Sequence, residues 1–468
     1  MLFQPQNIIF GEGSFSVPSK VTATAHPALD ADVLKEFWTN FTLGTSSLTT
    51  EPTDAYLFSV GDVAPLPLDG NDYSLRVTKG GICLQAKDEK SLICGFMMLL
   101  DRFHAIDGED GVLIAADACE ILESPLIATR MVHLCIFPET ELWELERFVR
   151  FCGALRYTHI VLEFWGMLQY DCMRELGWAH AFTKEQIRPI IRMANDLGLE
   201  VIPMFNHWGH ASAGRVMHGK HVVLDQNPML QTYFTEDGWC WDIQKPKVRA
   251  LMRSIRAELM ELCGEGSYFH IGCDEAYNFE FTEENMNAIC DYINEISEEL
   301  EGCGRRAIAW GDMFLHLYPH YDARSRYAAF SPTPETERYM QGRLSKRVII
   351  ADWQYNAAVT PVETTQNLKN AGFDCLFCPW DEGAKTADVA IDTVKALSLP
   401  GILHTTWHTL TSGMSYVTRI ALGCFEPIES YKDRELRTPT AALLRRVMPS
   451  GGDYERAGWS HRQIYSRW

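Results

Sequence analysis

The stretch Ser267–Glu275, with the sequence SYFHIGCDE, joins an apolar, strand-like lead to two adjacent acidic residues. Gly272 and Cys273 are small, so the backbone at these positions can lie close to a ligand. Asp274 and Glu275 carry like charges side by side, which is unfavourable unless another group uses them. We therefore predict a buried strand that ends in two carboxylates at the mouth of a pocket, an arrangement that suits acid–base chemistry on a sugar.

Apolar runs of the same kind recur on both sides of this strand. Including Tyr268–Gly272, the eight strand candidates are Met131–Ile136, His159–Phe164, Glu200–Phe205, Tyr268–Gly272, Ala307–Trp310, Val348–Trp353, Cys375–Phe377 and Ile402–Thr405. Amphipathic, helix-like stretches lie between them, among them Leu142–Leu155, Glu185–Leu197, Lys247–Leu262 and Glu283–Leu300. Eight buried strands that alternate with helices over roughly 290 residues predict a (β/α)8 TIM barrel. A doubly wound open sheet would give the same local signals.

The two ends of the chain differ from this repeating middle part. Near the amino terminus, Tyr73–Val77 and Ile82–Ala86 flank Gly80-Gly81 and predict a hairpin, and a helix-like stretch runs from Glu89 to about Phe103. We predict a small N-terminal α/β domain over residues 1–122 and the catalytic (β/α)8 barrel over residues 123–415. A C-terminal helical segment over residues 416–468, which includes Ala441–Val447, would complete or cap the barrel.

The charge balance restricts the class of ligand. The 468 residues carry a formal net charge of −20. Such an acidic protein is a poor binder of nucleic acid and of anionic membranes, and it repels polyanions at long range. We therefore expect a neutral substrate, no nucleic acid and no membrane as partners.

The cysteines and the amino terminus suggest a cytoplasmic location. The 14 cysteines are scattered through strand-like and helix-like segments, as expected for buried thiols in a reducing compartment. Residues 1–6 lack the basic and apolar pattern of a signal peptide, and we find no run long enough to span a membrane. A zinc or redox role for Cys375 and Cys378 is disfavoured, because no second pair lies at ligand spacing.

Tryptophan recurs where the predicted strands end. Six of the seven ends from the second strand onward carry one: Trp165, Trp208, Trp310, Trp353, Trp380 and Trp407. Any one of them could be an ordinary core residue, but the set favours a sugar pocket, because aromatic faces stack on the C–H face of a pyranose. We predict no metal site, because the spacing of the histidines differs from that of a zinc-binding helix; these are His207, His210, His218 and His221. The second acidic pair, Asp381-Glu382, precedes Gly383 and is interpreted as a solvated loop.

Three segments together resemble glycoside hydrolase family 20, the β-N-acetylhexosaminidases. The family signature His-x-Gly-Gly-Asp-Glu ends barrel strand four and stands here as His270–Glu275, with Cys273 in place of the second glycine. Val201–His210 is similar to the family's third strand and its Gly-His turn, and Gly80–Phe103 is similar to the end of its small N-terminal domain. The resemblance is to the short hexosaminidase D-like branch, where strand two reads Leu-Glu-aromatic.

The resemblance implies an exo-acting, retaining enzyme with a substrate-assisted mechanism. Glu275 would be the general acid and then the general base, while Asp274 would orient the substrate's acetamido group. The substrate would be a small neutral amino-sugar oligosaccharide or glycoconjugate with terminal GlcNAc, GalNAc or both, and no cofactor is implied. We assign substrate binding to Glu163, His210, Trp310, Asp312, Trp353, Tyr355 and Trp407.

The chain also departs from the common family pattern. Pro138 and Thr409 fall near the places of a sugar-gripping Arg and Glu, Asn206 replaces the Asp of the strand-three turn, and no strand-two Asp is evident near Trp165-Gly166. Two alternatives remain open: a barrel glycosidase with a separate carboxylate nucleophile, such as Glu163 or Asp312, and a non-catalytic sugar-binding barrel. A homodimer also remains open.

Overall fold

Two sheets organise the chain: an eight-stranded, mostly antiparallel sheet near the amino terminus and a closed barrel of eight parallel strands. The computed structural model describes residues 2–108, 111–164, 166–212, 223–380, 384–407, 410 and 413–447. The closed barrel confirms the predicted (β/α)8 class. It excludes the open sheet, because the last barrel strand pairs with the first over Gly401–His404 and Thr129–Val132.

The amino-terminal sheet carries two helices. Its elements are β1 (Ile8–Ser16), β2 (Lys20–Ala25), α1 (Asp32–Phe41), β3 (Ser47–Pro52), β4 (Leu57–Gly61), β5 (Tyr73–Thr78), β6 (Gly81–Ala86), α2 (Glu89–Arg102), β7 (His104–Gly108) and β8 (Gly111–Glu123). The predicted hairpin is present, with β5 and β6 paired antiparallel from Tyr73 opposite Ala86 to Thr78 opposite Gly81. The side chain of Asp88 caps α2 by accepting from the Ser91 N–H at 2.8 Å.

The barrel follows, with at least one helix after each strand before the next one begins. Its elements are β9 (Thr129–Cys135), α3 (Leu142–Ala154), β10 (His159–Glu163), α4 (Lys184–Asp196), β11 (Glu200–Met204), α5 (Val223–Gln226), α6 (Pro246–Cys263), β12 (Tyr268–His270), α7 (Glu283–Gly302), β13 (Arg306–Trp310), α8 (Pro334–Arg343), β14 (Ile349–Trp353), α9 (Glu363–Asn370), β15 (Cys375–Cys378), α10 (Ala384–Ala396) and β16 (Gly401–His404). Most strand residues are buried, as parallel strands covered by helices require. The predicted strands differ from these bounds mainly at their ends.

The strand that carries the acidic pair is shorter than predicted. The prediction extended it to Gly272, whereas β12 ends at His270. Gly272 and Cys273 adopt φ values of 65° and 76°. Backbone in this left-handed region cannot continue a strand, so the chain turns here and carries Asp274 and Glu275 over the end of the barrel.

Three short helices after the barrel close its outer layer: α11 (Met414–Gly423), α12 (Ile428–Tyr431) and α13 (Arg437–Val447). They agree with the helical character predicted for this end of the chain, and residues 448–468 lie outside the described part. The predicted limits of the three domains stay a prediction. Among the described residues, no helix combines the length and the apolar composition that crossing a bilayer requires.

One buried arginine ties the amino-terminal sheet, the barrel and the carboxy-terminal helices together. Arg156 follows α3, and its Nη1 donates to the Glu123 carboxylate at 2.5 Å and to the Tyr73 hydroxyl at 3.2 Å. Its guanidinium lies 3.8 Å from the ring centre of Phe3 and 3.6 Å from that of Phe425. A charge buried this deeply is tolerated only with such partners, so the junction holds the far end of the barrel rigid.

Candidate active site

Two glycines allow the acidic loop after β12 to pack against the turn after β11. A Cβ on Gly272 would come within 1.8 Å of the Asn206 Oδ1, and a Cβ on Gly209 would come within 1.9 Å of the Asp274 carbonyl oxygen. Glu275 itself has a φ of 50°, which is costly for a residue with a long side chain. Strain of this kind concentrates at functional sites, where the surrounding packing enforces it.

Asp274 lies almost fully inside the protein. It is 6% exposed, and its Oδ2 lies 3.4 Å from the Nε2 of His210. Its Oδ1 has no hydrogen-bond partner among the described residues. Burial raises the pKa of Asp274 to about 7; His210 opposes this increase, and Glu275 and Glu163 add to it by smaller amounts. The carboxyl therefore has an unused acceptor and ionises near neutral pH.

Glu275 is fixed from three directions. Its Oε2 lies 2.8 Å from the Nε2 of His210, so that one imidazole nitrogen lies near both carboxylates of the pair. Its backbone N–H donates to the Asp312 Oδ2 at 2.8 Å, and its carbonyl accepts from the Trp239 Nε1 at 2.6 Å. The predicted residues Asp274, Glu275, His210 and Asp312 therefore form one cluster at the carboxyl end of the barrel, where TIM barrels carry their active sites.

Asp312 links the acidic pair to the aromatic wall. Its Oδ1 accepts from the Trp353 Nε1 at 3.0 Å, while its Oδ2 is used by Glu275. Asp312 is 1% exposed, and burial, reinforced by Asp274, raises its pKa well above the usual range. Both oxygens thus have protein partners, and its predicted contact with substrate stays a prediction.

Tyr355 and Trp407 form the partly open portion of the wall. The Trp407 Nε1 donates to the Tyr355 hydroxyl oxygen at 2.6 Å, which leaves the hydroxyl proton available for a ligand. The rings of Trp353 and Tyr355 are 5.1 Å apart. Trp310 has no exposed surface and lies 6.0 Å from Trp407, so it forms the floor beneath the wall, and its predicted contact with substrate stays a prediction.

Glu163 lies in a buried environment beneath the site. It ends β10 with only 1% of its surface exposed. Its Oε2 lies 2.8 Å from the Nε2 of His133, and its Oε1 accepts from the Asn206 Nδ2 at 3.1 Å. Inward-pointing residues of neighbouring barrel strands meet in this way, and here His133 and Asn206 together hold both oxygens of Glu163 beneath the site. The predicted bond from Glu163 to a sugar hydroxyl is not tested by this geometry and stays a prediction.

Sequence reasoning missed three residues that shape the site: His133, which holds Glu163, and Trp239 and Tyr277, which flank Glu275. Asn206 was noted only as a departure from the family pattern, and its amide also holds Glu163. For Tyr277 a signal existed, because it stands two positions after Glu275. The role of Trp239 had no such signal, since it depends on how the long connection between β11 and α6 folds back over the barrel.

One group of described residues has donor atoms close enough to hold a metal ion. The ligand atoms of His210, Asp274 and Glu275 all lie within 4.8 Å of one another. His207 does not join them: its Nδ1 contacts the Phe205 carbonyl at 2.6 Å, and burial lowers its pKa to about 3. Six further residues singled out from the sequence lie outside the described part: Trp165, His218, His221, Asp381, Glu382 and Thr409.

Comparisons with known proteins agree with this geometry. Residues 162–382 match the model of the family described as "Glycosyl hydrolase family 20, catalytic domain". A Beta-hexosaminidase of Porphyromonas gingivalis is 23% identical over 304 residues, which cover 56% of this chain and 38% of the relative. A Hexosaminidase D of Bos taurus is 28% identical over 155 residues, which cover 32% of this chain and 41% of the relative. The matched segments thus span less than half of each relative.

Solved structures share the whole architecture. The Flavobacterium johnsoniae chitobiase superposes with a TM-score of 0.70 at 15% identity, covering 99% of this chain and 74% of that one. The family 20 exo β-N-acetylglucosaminidase of Vibrio harveyi, solved in complex with N-acetylglucosamine, superposes with a TM-score of 0.65 at 15% identity. The superposition covers 96% of this chain and 76% of that one. The matched model covers the strands from β10 to β15 and therefore includes the acidic pair. Residues 162–382 thus resemble the catalytic domain of glycosyl hydrolase family 20, and the chain has the fold of these solved structures.

Proposed function

We propose that the protein is an exo-acting, retaining β-N-acetylhexosaminidase that removes terminal β-linked GlcNAc, GalNAc or both by substrate-assisted catalysis. One observation carries the proposal: a nearly buried Asp274, with one unused oxygen, lies beside a Glu275 that shares its histidine. This pair provides one group for moving protons and a second group for holding an amide. The names of the relatives, and the N-acetylglucosamine bound to the Vibrio harveyi enzyme, support an amino sugar as substrate.

In the first step, Glu275 gives its proton to the oxygen of the leaving group as the bond from that oxygen to the anomeric carbon breaks. The carbonyl oxygen of the substrate's own acetamido group attacks the anomeric carbon and closes an oxazolinium ring. In the second step, the Glu275 carboxylate takes a proton from water, which attacks the same carbon and reopens the ring. Two displacements at one carbon retain its configuration.

Asp274 would act on the acetamido group. Its free Oδ1 can accept a hydrogen bond from the amide N–H, which would aim the carbonyl oxygen at the anomeric carbon. The ring that closes is positively charged, and a carboxylate in a site of low dielectric stabilises that charge strongly. A pKa of about 7 for Asp274 means that this ionised form is present at neutral and alkaline pH.

Tyr355 would hold the other end of the acetamide. Because its hydroxyl oxygen already accepts from Trp407, its proton can be donated to the acetamide oxygen. Burial raises the pKa of Tyr355 well above the ordinary value, so the hydroxyl keeps this proton. The partly open faces of Trp353 and Trp407 would pack on the sugar and its methyl group.

The competing glycosidase mechanism needs a free carboxylate nucleophile. Glu163 and Asp312 were the candidates, yet each has both oxygens within hydrogen-bond distance of protein groups and is 1% exposed. A nucleophile must reach the anomeric carbon, which neither carboxylate can do without breaking these bonds. A non-catalytic barrel is disfavoured for a different reason, since it would have no use for the strained backbone at Glu275.

A cytoplasmic location is part of the proposal. All 14 cysteines lie in the described part of the chain and are free thiols, most of them buried. This pattern supports a reducing compartment. A homodimer stays a prediction.

The direct test is a panel of 4-nitrophenyl β-glycosides with and without the 2-acetamido group. We expect hydrolysis of the N-acetylglucosaminide, the N-acetylgalactosaminide or both, and at least 100-fold lower kcat/KM for the glucoside and the galactoside, on the order of one lost transition-state contact. Comparable turnover of the glucoside would reject substrate assistance. The absence of turnover on every member, together with calorimetric binding of N-acetylglucosamine, would favour the sugar-binding alternative.

A further inference from the structure

A small cavity lies where the amino-terminal sheet meets the barrel, at the end of the barrel opposite to the acidic pair. Its volume is about 220 Å³, far more than the roughly 10–15 Å³ that a single water requires. Its walls come from the start of α2, from the connection between β8 and β9, and from the loops before β10 and β11. Residues at this end of a TIM barrel serve stability rather than catalysis. A ligand in this cavity would therefore act on the junction between the two sheets.

The cavity is positively charged, although the chain as a whole carries a net charge of −20. Four cationic side chains and two carboxylates line it: Lys87, Lys90, Arg130, Arg156, Asp72 and Asp88. Asp72 lies 2.8 Å from Lys87, Asp88 caps α2, and Lys90 lies 3.9 Å from Glu200. The lysines at the rim thus have carboxylates nearby, and the helix terminus is already capped. The excess positive charge belongs to the two buried arginines.

Arg130 is a buried cation without a carboxylate partner. It is 5% exposed, and burial lowers its pKa. Its Nε donates to the Arg156 carbonyl at 2.8 Å, and its Nη1 donates to the carbonyls of Ile127 at 3.0 Å and Ala128 at 2.7 Å. One face of the guanidinium lies 4.7 Å from the ring centre of Phe425. Among the described residues, the two N–H groups on Nη2 have no hydrogen-bond partner, and no carboxylate forms an ion pair with the guanidinium.

Arg156, the other buried cation of the cavity, has the partner that Arg130 lacks. Its Nη1 donates to the Glu123 carboxylate at 2.5 Å, so the charges of Arg156 and Glu123 balance. Charged side chains that are buried this deeply are normally paired. By the same rule Arg130 requires one negative charge, and the cavity beside it has room for a charge that comes from outside the chain.

The lining selects the kind of anion. One unpaired guanidinium matches the single charge of a carboxylate better than the nearly double charge of a phosphate group. Ile93, Met97 and Leu197 also line the cavity, and each of them is buried. Apolar walls with one charged group are typical of sites for small organic ligands.

We propose that this cavity binds a small organic monocarboxylate. Its oxygens accept hydrogen bonds from Nη2 of Arg130, and its hydrocarbon part lies against Ile93, Met97 and Leu197. The bound anion supplies the missing counter-charge and so stabilises the junction between the amino-terminal sheet and the barrel. The proposal is independent of the proposed function, because the cavity lies at the other end of the barrel.

Calorimetry of the full chain with butyrate tests the proposal, and butyramide is the matched neutral compound. We expect one butyrate per chain and at least about tenfold weaker binding of butyramide, which lacks the charge that Arg130 requires. Inorganic phosphate should bind more weakly than butyrate. Butyrate should also raise the unfolding temperature, because it binds the folded state alone.

Two variants locate the bound anion. Arg130→Met removes the charge and should abolish butyrate binding. Because this variant also leaves three carbonyls without their donor, Ser91→Leu provides a second test that keeps Arg130. Ser91 lines the cavity and is 7% exposed, so the larger side chain should weaken butyrate binding at least about tenfold. Ser19→Leu makes the same exchange at an exposed position and should bind butyrate as the wild type does.

Three results would overturn the proposal: equal affinity for butyrate and butyramide, unchanged butyrate binding in Ser91→Leu, or no binding of butyrate at millimolar concentration. Tighter binding of phosphate than of butyrate would overturn the assignment to a carboxylate. None of these results depends on hydrolytic activity, so each of them leaves the proposed function intact.

Discussion

Glu163 ends strand β10 and Asp274 lies in the loop after strand β12, and both carboxylates are almost completely buried. Their surroundings differ in one respect. Glu163 has a partner for each oxygen, in His133 and Asn206, whereas Asp274 keeps one oxygen without a partner among the described residues. The hydrogen-bonding needs of the Glu163 carboxylate are met without a ligand. The Asp274 carboxylate bears a desolvation cost that a ligand could relieve, which is how an active-site carboxylate differs from a structural one.

The same comparison separates the two acids of the pair. Glu275 is held by contacts with its backbone as well as with its side chain, so its position is set independently of its protonation state. Asp274 depends on burial, which raises its pKa. One acid is thus suited to giving and taking protons, while the other is suited to holding a single partner in one orientation.

The largest expected effect comes from replacing Glu275. Glu275→Gln keeps the shape of the side chain but removes the proton donor, so kcat should fall on the order of 10³-fold. The fall should be smaller for 4-nitrophenyl glycosides, whose leaving group needs little protonation, than for methyl β-N-acetylglucosaminide. Steady-state kinetics on both substrates checks this, and near-wild-type turnover of the methyl glycoside would remove Glu275 from its role.

The second effect concerns the orientation of the acetamide. Asp274→Asn loses the negative charge next to the developing oxazolinium ring, so kcat/KM on the 4-nitrophenyl N-acetylglucosaminide should fall on the order of 10²-fold. In the wild type, kcat/KM should also fall as pH drops below about 7, because the Asp274 carboxylate becomes protonated. The variant should lack this dependence. Identical pH profiles for wild type and variant would contradict the assignment.

The third effect is on stability: Asp274→Asn, which lowers activity, should make the protein more stable at alkaline pH. The Asp274 pKa is raised from 3.8 to about 7 on folding, so the wild type loses folding free energy as pH rises between these values. Asparagine cannot ionise, so at pH 8 the free energy of unfolding of Asp274→Asn should exceed that of wild type by a few kcal/mol, and the variant should unfold at a higher temperature; the two should agree near pH 4. Thermal unfolding at both pH values measures this difference. Asp62→Asn, at an exposed position, is the charge-matched control.

A pH-independent difference in stability between Asp274→Asn and wild type would show that burial of the charge is not what distinguishes Asp274. The comparison with Glu163 would then have no energetic basis.

The smallest effect is expected at Glu163, whose two carboxylate oxygens both have protein partners. Glu163→Gln leaves one of its two contacts mismatched, which should lower the free energy of unfolding by about 1–2 kcal/mol. Because Glu163 lies beneath the site, kcat should change by less than about tenfold, well below the effects at the pair. Urea unfolding and kinetics on the same samples check both parts. A collapse of kcat with unchanged stability would instead support Glu163 as a nucleophile.

These differences also explain which parts of the molecule the sequence predicts. The barrel follows from apolar runs at regular intervals, because each strand must be buried whatever its neighbours are. The acidic pair was found because its residues are adjacent in the chain. The surroundings of Glu163 and Trp310 were not predicted, because they depend on how strands lie beside one another and on how deep each side chain points.

The departures from the common family pattern have a partial structural explanation. Asn206 replaces an Asp of the family, and its amide donates to Glu163. An aspartate at this place would put a second negative charge against Glu163, so the exchange fits the contact that Asn206 makes with that carboxylate. The carbonyl oxygen of Pro138 accepts from the His180 Nε2 at 3.3 Å. No pattern along the chain indicates such a contact between two separate loops.

The central claim is that the substrate's acetamido oxygen attacks the anomeric carbon while Asp274 holds the amide. It is tested most directly with 4-nitrophenyl glycosides of GlcNAc whose acetyl group carries none, one, two or three fluorines, since each fluorine weakens that oxygen as a nucleophile. We expect kcat/KM to fall steeply and steadily along the series, by orders of magnitude overall. A flat series would contradict the account, because it would mean that the acetamido oxygen takes no part in the reaction.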